Sequence, residues 1–76
     1  MTLDQLSIGD SFVISHLTAN GEIRKRLVDM GFVAGATGKL LRRGMLGSPL
    51  DLRLGAYRIA LRATEAQHIV VSNADA

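Results

Sequence analysis

A chain this short could build chemistry from histidine, cysteine, carboxylate and arginine side chains. It holds two histidines, His16 and His68, and no cysteine. Disulfides and thiolate zinc sites are therefore excluded. The two histidines are far apart in sequence, and no two strong ligands occur at a spacing that would clamp a metal by themselves. Both lie near the ends of predicted strands, so folding could still bring them together. Ferrous iron accepts histidine and carboxylate. His16 and His68 thus allow weak or transient binding of Fe2+ or another divalent transition metal, not a dedicated centre. Catalytic signatures are also lacking. There is no GxSxG, and no phosphate-binding glycine loop followed by Lys-Ser or Lys-Thr. The sequence reads as that of a non-enzyme.

Two groups of residues suit binding instead. The first is Gly44 to Pro49, where Met45 and Leu46 stand between Gly44 and Gly47, with Pro49 closing the segment. Apolar residues on a flexible tip suit a protein contact, although Leu46 could equally fold down and plug the end of a barrel. The second group is basic: Arg53, Arg58 and Arg62, with Lys39 as a neighbour. Such a face could seat an acidic partner surface or a phosphate. An ordinary solvated face relieved by Asp51 is the competing reading, because exposed charge pairs contribute only about 0–1 kcal/mol.

Whether these residues share a surface depends on the elements that carry them. Pro49 to Leu54 and Tyr57 to Arg62 read as two strands joined by Gly55-Ala56, a two-residue hairpin signal. That turn pairs Leu54 with Tyr57, Leu52 with Ile59 and Leu50 with Leu61, all on one apolar face. It also sets Arg53 opposite Arg58 on the other face, an unfavourable cross-strand pair. Ser11 to Leu17 reads as a first strand, with Phe12 and Ile14 on one face. Thr37 to Arg43 reads as a second, in which the adjacent Leu40 and Leu41 cannot both point inward. Ile69 to Ser72 reads as the last.

Asn20 to Met30 is the best helix. Asn20 is placed to cap it, Ile23, Leu27 and Met30 fall on one stripe, and Gly31 can end it with Phe32 folding back onto Leu27. Asp29 in its last turn opposes the helix dipole unless it bonds to Arg26 or Lys25. Thr2 with Gln5, and Thr64 with Gln67, have capping-box spacing and predict single helical turns. Residues 1–76 thus form one mostly β domain, a small SH3-like five-stranded barrel with a helix inserted after the first strand. Residues 73–76 read as a frayed tail.

Composition narrows the class. The hydrophobic fraction of 47% is too high for a disordered chain. The net charge of +2 is a weak argument for nucleic acid. The N-terminus shows no targeting pattern, and no apolar run approaches the roughly 20 residues of a membrane span.

Four segments are specific in combination: Arg26 to Gly35 (RLVDMGFVAG), Leu46 to Leu50 (LGSPL), Gly55 to Arg62 (GAYRIALR), and Glu65-Ala66 followed by Ile69-Val70-Val71. In this order the chain resembles the FeoA family along nearly its whole length. It departs from the family pattern at Met45, at Ser48 and at Gly38. The resemblance implies an SH3-like fold and a cytoplasmic accessory role in bacterial ferrous-iron uptake. It implies as partner FeoB, a membrane permease with a cytosolic GTPase domain, so the chain would meet the inner membrane only through that partner. Related domains end some iron-dependent repressors, but 76 residues leave no room for a helix-turn-helix as well. An arginine among Arg24-Lys25-Arg26 could in principle assist GTP hydrolysis in such a partner, yet nothing separates these residues from ordinary surface charge.

Two alternatives compete: a metal carrier or sensor, and a small nucleic-acid-binding barrel. The second needs aromatic platforms. The pattern assigns Phe12 and Tyr57 to the core and Phe32 to the helix, which leaves none. The hairpin assignment predicts that Leu52→Ala and Ile59→Ala each cost about 2–5 kcal/mol, read as a fall in the urea midpoint.

Overall fold

A computed structural model describes residues 1–74. Its strands are β1 (Ser11–Leu17), β2 (Thr37–Arg43), β3 (Leu50–Leu54), β4 (Tyr57–Leu61) and β5 (Ile69–Asn73). The helices are α1 (Gly21–Asp29), after β1, and the short α2 (Ala63–Ala66), before β5, with a 3-10 turn at Leu3–Gln5. All five strands are antiparallel in one sheet of order β4-β3-β2-β1-β5. This is the expected mostly β, SH3-like arrangement, with one difference. The sheet is not closed by hydrogen bonds, because β4 and β5 are its two ends and do not pair.

Curvature comes from two irregularities. The β1–β5 register shifts between Ile14 and His16, and the β2–β3 register shifts between Leu40 and Arg42. The second resolves the Leu40-Leu41 conflict. Leu41 is the extra residue, so Leu40 is fully buried while Leu41 is only half-buried. A bulge bends its strand and increases its twist, which lets a short sheet wrap around a core. That core contains Phe12, Ile14, Leu40, Leu50, Leu52, Leu54, Leu61, Ile69 and Val71 from the strands, plus Leu3, Leu6, Leu27, Phe32 and Ala66.

The hairpin register is as the sequence predicts: Leu50↔Leu61, Leu52↔Ile59, Leu54↔Tyr57 and Arg53↔Arg58. Burial along it is uneven. The three β3 leucines and Leu61 are buried, Ile59 is half-buried, and Tyr57 is 74% exposed. Tyr57 therefore does not belong to the core. It points to the inner side but sits at the tip of the end strand, where no further element covers it. With Phe12 and Phe32 buried, Tyr57 is the exposed aromatic ring among the described residues, and a single ring is not a stacking platform for nucleic acid. Ile59→Ala should accordingly cost less than Leu52→Ala.

The helix ends as expected and is buried less than expected. Gly31 has φ of 104°, its N–H donates to the Val28 carbonyl at 2.9 Å, and the Phe32 N–H donates to the Leu27 carbonyl at 3.0 Å. These are the two bonds of a Schellman ending. Leu27 is buried and Met30 half-buried, but Ile23 is 49% exposed. Only the last turn of α1 reaches the core, so the first third of the expected stripe faces solvent. Asn20 occupies the N-cap position without a side-chain capping bond. Asp29 does not pair with Arg26, which instead forms a salt bridge with Glu65 of α2.

Other local expectations shift by small amounts. In the first turn, the Thr2 N–H donates to Gln5 Oε1 at 2.8 Å. The second turn starts earlier than Thr64 predicts: Arg62 is its N-cap, with the Arg62 N–H donating to Glu65 Oε1 at 3.0 Å. Asn73 is not frayed, since it pairs with Phe12, and the Ala74 N–H donates to the Ser11 carbonyl at 2.8 Å. The remainder of the expected tail, residues 75–76, lies outside the described residues.

Gly38 has a structural reason. It faces Phe12 across the β1–β2 ladder, and a Cβ there would stand 2.6 Å from the Phe12 ring and 2.2 Å from the Arg53 carbonyl oxygen. The ring fills the space that a side chain at position 38 would need. Gly38→Ala is expected to cost about 1–3 kcal/mol through overpacking. An unchanged urea midpoint would mean that the Phe12 ring does not cover this position.

Candidate functional site

The Gly44–Pro49 loop leaves the core to join β2 to β3. It is tied at its base: the Gly44 N–H donates to the Pro49 carbonyl at 2.8 Å, and the Gly47 N–H donates to the Gly44 carbonyl at 2.9 Å. The return is tight enough that a Cβ on Gly44 would stand 2.0 Å from the Ser48 carbonyl oxygen. Ser48 Oγ accepts the Ala63 N–H at 3.1 Å, which anchors the loop to α2. With the base held, the tip projects. Met45 is 100% exposed and Leu46 96% exposed. Leu46 therefore does not plug the barrel, and both side chains are offered to solvent. Water solvates such apolar surface poorly, and covering it stabilises an association.

A shallow cavity lined by Arg42, Arg43, Gly44, Pro49, Asp51 and Ala60 links the loop base to the outer face of the sheet. On that face Arg53 lies between Lys39 of β2 and Arg58 of β4. Arg58 turns to Asp51, with Nη2 to Oδ2 at 2.5 Å. Among the described residues neither Arg53 nor Lys39 has a carboxylate partner. Arg62 is not part of this cluster. It lies beyond β4 at the start of α2 and lines a separate cavity with Ile23, Arg26, Thr64, Glu65 and His68. The chain turns into α2 there, and the strand alternation that would have carried Arg62 along the outer face ends at Leu61.

The two histidines sit on neighbouring segments. His16 pairs with Val70, and the His68 carbonyl accepts the Thr18 N–H at 2.8 Å, so both lie at one end of the β1–β5 ladder. His16 is exposed, with Nδ1 3.0 Å from Ser15 Oγ. Among the described residues no group of three or more histidine, aspartate or glutamate side chains is placed to hold a metal.

Nothing in the sequence separates Arg43 from the other basic residues. Its guanidinium Nη2 donates to the Asp4 and Leu6 carbonyls at 3.0 and 2.8 Å, fastening the N-terminal turn to β2. No local spacing marks Ser48 as an anchor either, since its partner lies 15 residues away.

A family model described as the FeoA domain matches residues 1–73. A fusion of Fe(2+) transport protein A with the Fe(2+) transporter FeoB, from Porphyromonas gingivalis, is 37% identical over 93% of this chain, which spans 8% of the fusion's length. The solution structure of iron(II) transport protein A from Clostridium thermocellum superposes with a TM-score of 0.92 at 35% identity, covering 97% of this chain and 46% of that one. FeoA from Stenotrophomonas maltophilia, a prokaryotic SH3 domain protein crystallised with zinc, gives a TM-score of 0.83 at 37% identity, covering 95% and 89%.

Exposure and anchoring make separate stability predictions. The double variant Met45→Ser, Leu46→Ser should change stability by less than about 0.5 kcal/mol. Ser48→Ala should cost about 1 kcal/mol through the lost bond to Ala63. Urea titration of the three proteins checks both. A large loss in the double variant would mean that the tip packs on the core.

Proposed function

The chain belongs to the FeoA family, and from that membership we propose that it is a non-enzymatic accessory of ferrous-iron uptake that binds a FeoB-type membrane transporter. The observation that carries the reading is the fully exposed Met45-Leu46 tip on a loop whose base is hydrogen-bonded and anchored to α2. A held base lowers the ordering cost of binding. The apolar tip supplies the contact, and the basic residues Arg42 and Arg43 at the loop base favour an acidic surface on the partner. The Porphyromonas gingivalis relative supports the choice of partner, because it carries transport protein A and the transporter in one polypeptide. Fusion holds two modules at high effective concentration and suits domains that act together.

Through this contact the chain regulates or assembles the transporter. None of its described helices is long and apolar enough to cross a membrane. It would meet the membrane through its partner, on the cytoplasmic side.

The test is direct binding. The purified protein is titrated into the transporter's cytosolic domain and into the full permease in detergent, with and without guanine nucleotide. Binding is expected, and Met45→Ser, Leu46→Ser should weaken it by about tenfold or more, as expected for a buried apolar anchor. Absence of binding to either form under all conditions would overturn the reading.

A further inference from the structure

The two ends of the sheet are treated differently. At β5 the N-terminal segment covers the edge: Thr2 bridges to Val70, and the Val71 N–H donates to the Met1 carbonyl at 2.8 Å. At β4 no described segment lies alongside. In the β3–β4 hairpin the pairs Leu54/Tyr57, Leu52/Ile59 and Leu50/Leu61 exchange backbone hydrogen bonds, given the two-residue turn and the alternation of an antiparallel ladder. The N–H and C=O groups of Arg58 and Ala60 therefore point away from β3. Among the described residues they meet no backbone partner.

The side chains along this edge alternate in character. On the outer face stand Arg58, and behind it Arg53 and Lys39. On the inner face Ile59 is half-buried and Tyr57 is largely exposed. Tyr57 borders a cavity of about 420 Å³ that also includes Met30, Ala36 and Leu54. The edge thus offers hydrogen-bonding groups in strand register, an open apolar strip on one side and cationic groups on the other.

We propose that β4 is a docking edge for an extended segment of a protein partner, which adds to the sheet as a sixth strand and alternates carboxylate with apolar side chains. Its outward carboxylates would lie beside Arg58, with the charge of Arg53 behind it, and its inward side chains would cover Ile59 and Tyr57. Addition of a strand takes affinity from main-chain bonds and specificity from alternate side chains. The acidic segment must displace Asp51 from Arg58, an exposed pair that is easily broken. A second copy of this chain fits the edge less well. Pairing β4 with β4 would gather Arg53, Arg58 and Lys39 of both copies on one face, and like charges side by side are unfavourable. The inference concerns how a protein ligand is held. It goes beyond the loop contact and stands whether or not the segment belongs to the transporter.

The probe is a capped peptide of about seven residues, typical of a strand, alternating glutamate and valine. Amide hydrogen exchange is followed residue by residue with rising peptide. At saturation the Arg58 and Ala60 amides should slow by about tenfold or more, with the Met45-Leu46 tip unchanged. Ala60→Pro removes one outward N–H without touching the bonds to β3, which an edge position tolerates, and should abolish the slowing at Arg58. Arg58→Glu should weaken peptide binding by about tenfold or more, and serves alone if Ala60→Pro does not fold. Three results would overturn the proposal: no slowing at Arg58 and Ala60, equal slowing with a lysine–valine peptide, or slowing that follows protein concentration without peptide, which means self-pairing. None of them bears on transporter binding through the loop.

Discussion

The stripe of Leu50, Leu52 and Leu54 along β3 is the constraint on which the rest of this structure depends. All three are buried, and they meet Leu40 of β2 on one side and Leu61 and Ile59 of β4 on the other. A chain of 76 residues without disulfides has little apolar area to spare. It must close its core with alternate residues of short strands, and a one-residue slip would exchange these leucines for Asp51 and Arg53. The same alternation that buries the leucines brings Arg53 and Arg58 side by side outside. The basic outer face is thus a by-product of the register as much as a feature of the surface.

Bending the sheet around that stripe decides what is left over. The bulge at Leu41 takes up a residue that cannot face inward, and Phe12 closes over Gly38, where only a hydrogen fits. The N-terminal turn, held by Arg43, covers one end of the core. Once these contacts are made, the Met45-Leu46 tip and the outer edge of β4 remain uncovered. The base of the loop, at Gly44 and Pro49, shares a cavity with Ala60 of β4.

The helix shows why local pattern and tertiary burial separate. Its amphipathic spacing and glycine stop made α1 legible, and its Schellman ending forms as the residues imply. The spacing does not say how far the helix lies along the barrel. Ile23 is exposed because only the C-terminal turn docks, and α1 is held further by the Arg26–Glu65 salt bridge to α2. Tyr57 is the matching case in a strand. Its face was legible and its exposure was not, since exposure depends on whether another element covers the end of the sheet.

By itself the sequence determined the strands, the hairpin register, the helix and its stop, the exposed apolar loop as a candidate contact and the family. These follow from periodicity, turn chemistry and short-range spacing, which act between residues close in the chain. Tertiary structure alone decided that the sheet stays open between β4 and β5, that Leu46 points outward, that Arg62 leaves the basic face for the start of α2, and that Arg43 and Ser48 are anchors. Each depends on which distant segments cover a given face or edge. No local pattern encodes that coverage, because it is set by how the whole chain shares one small core.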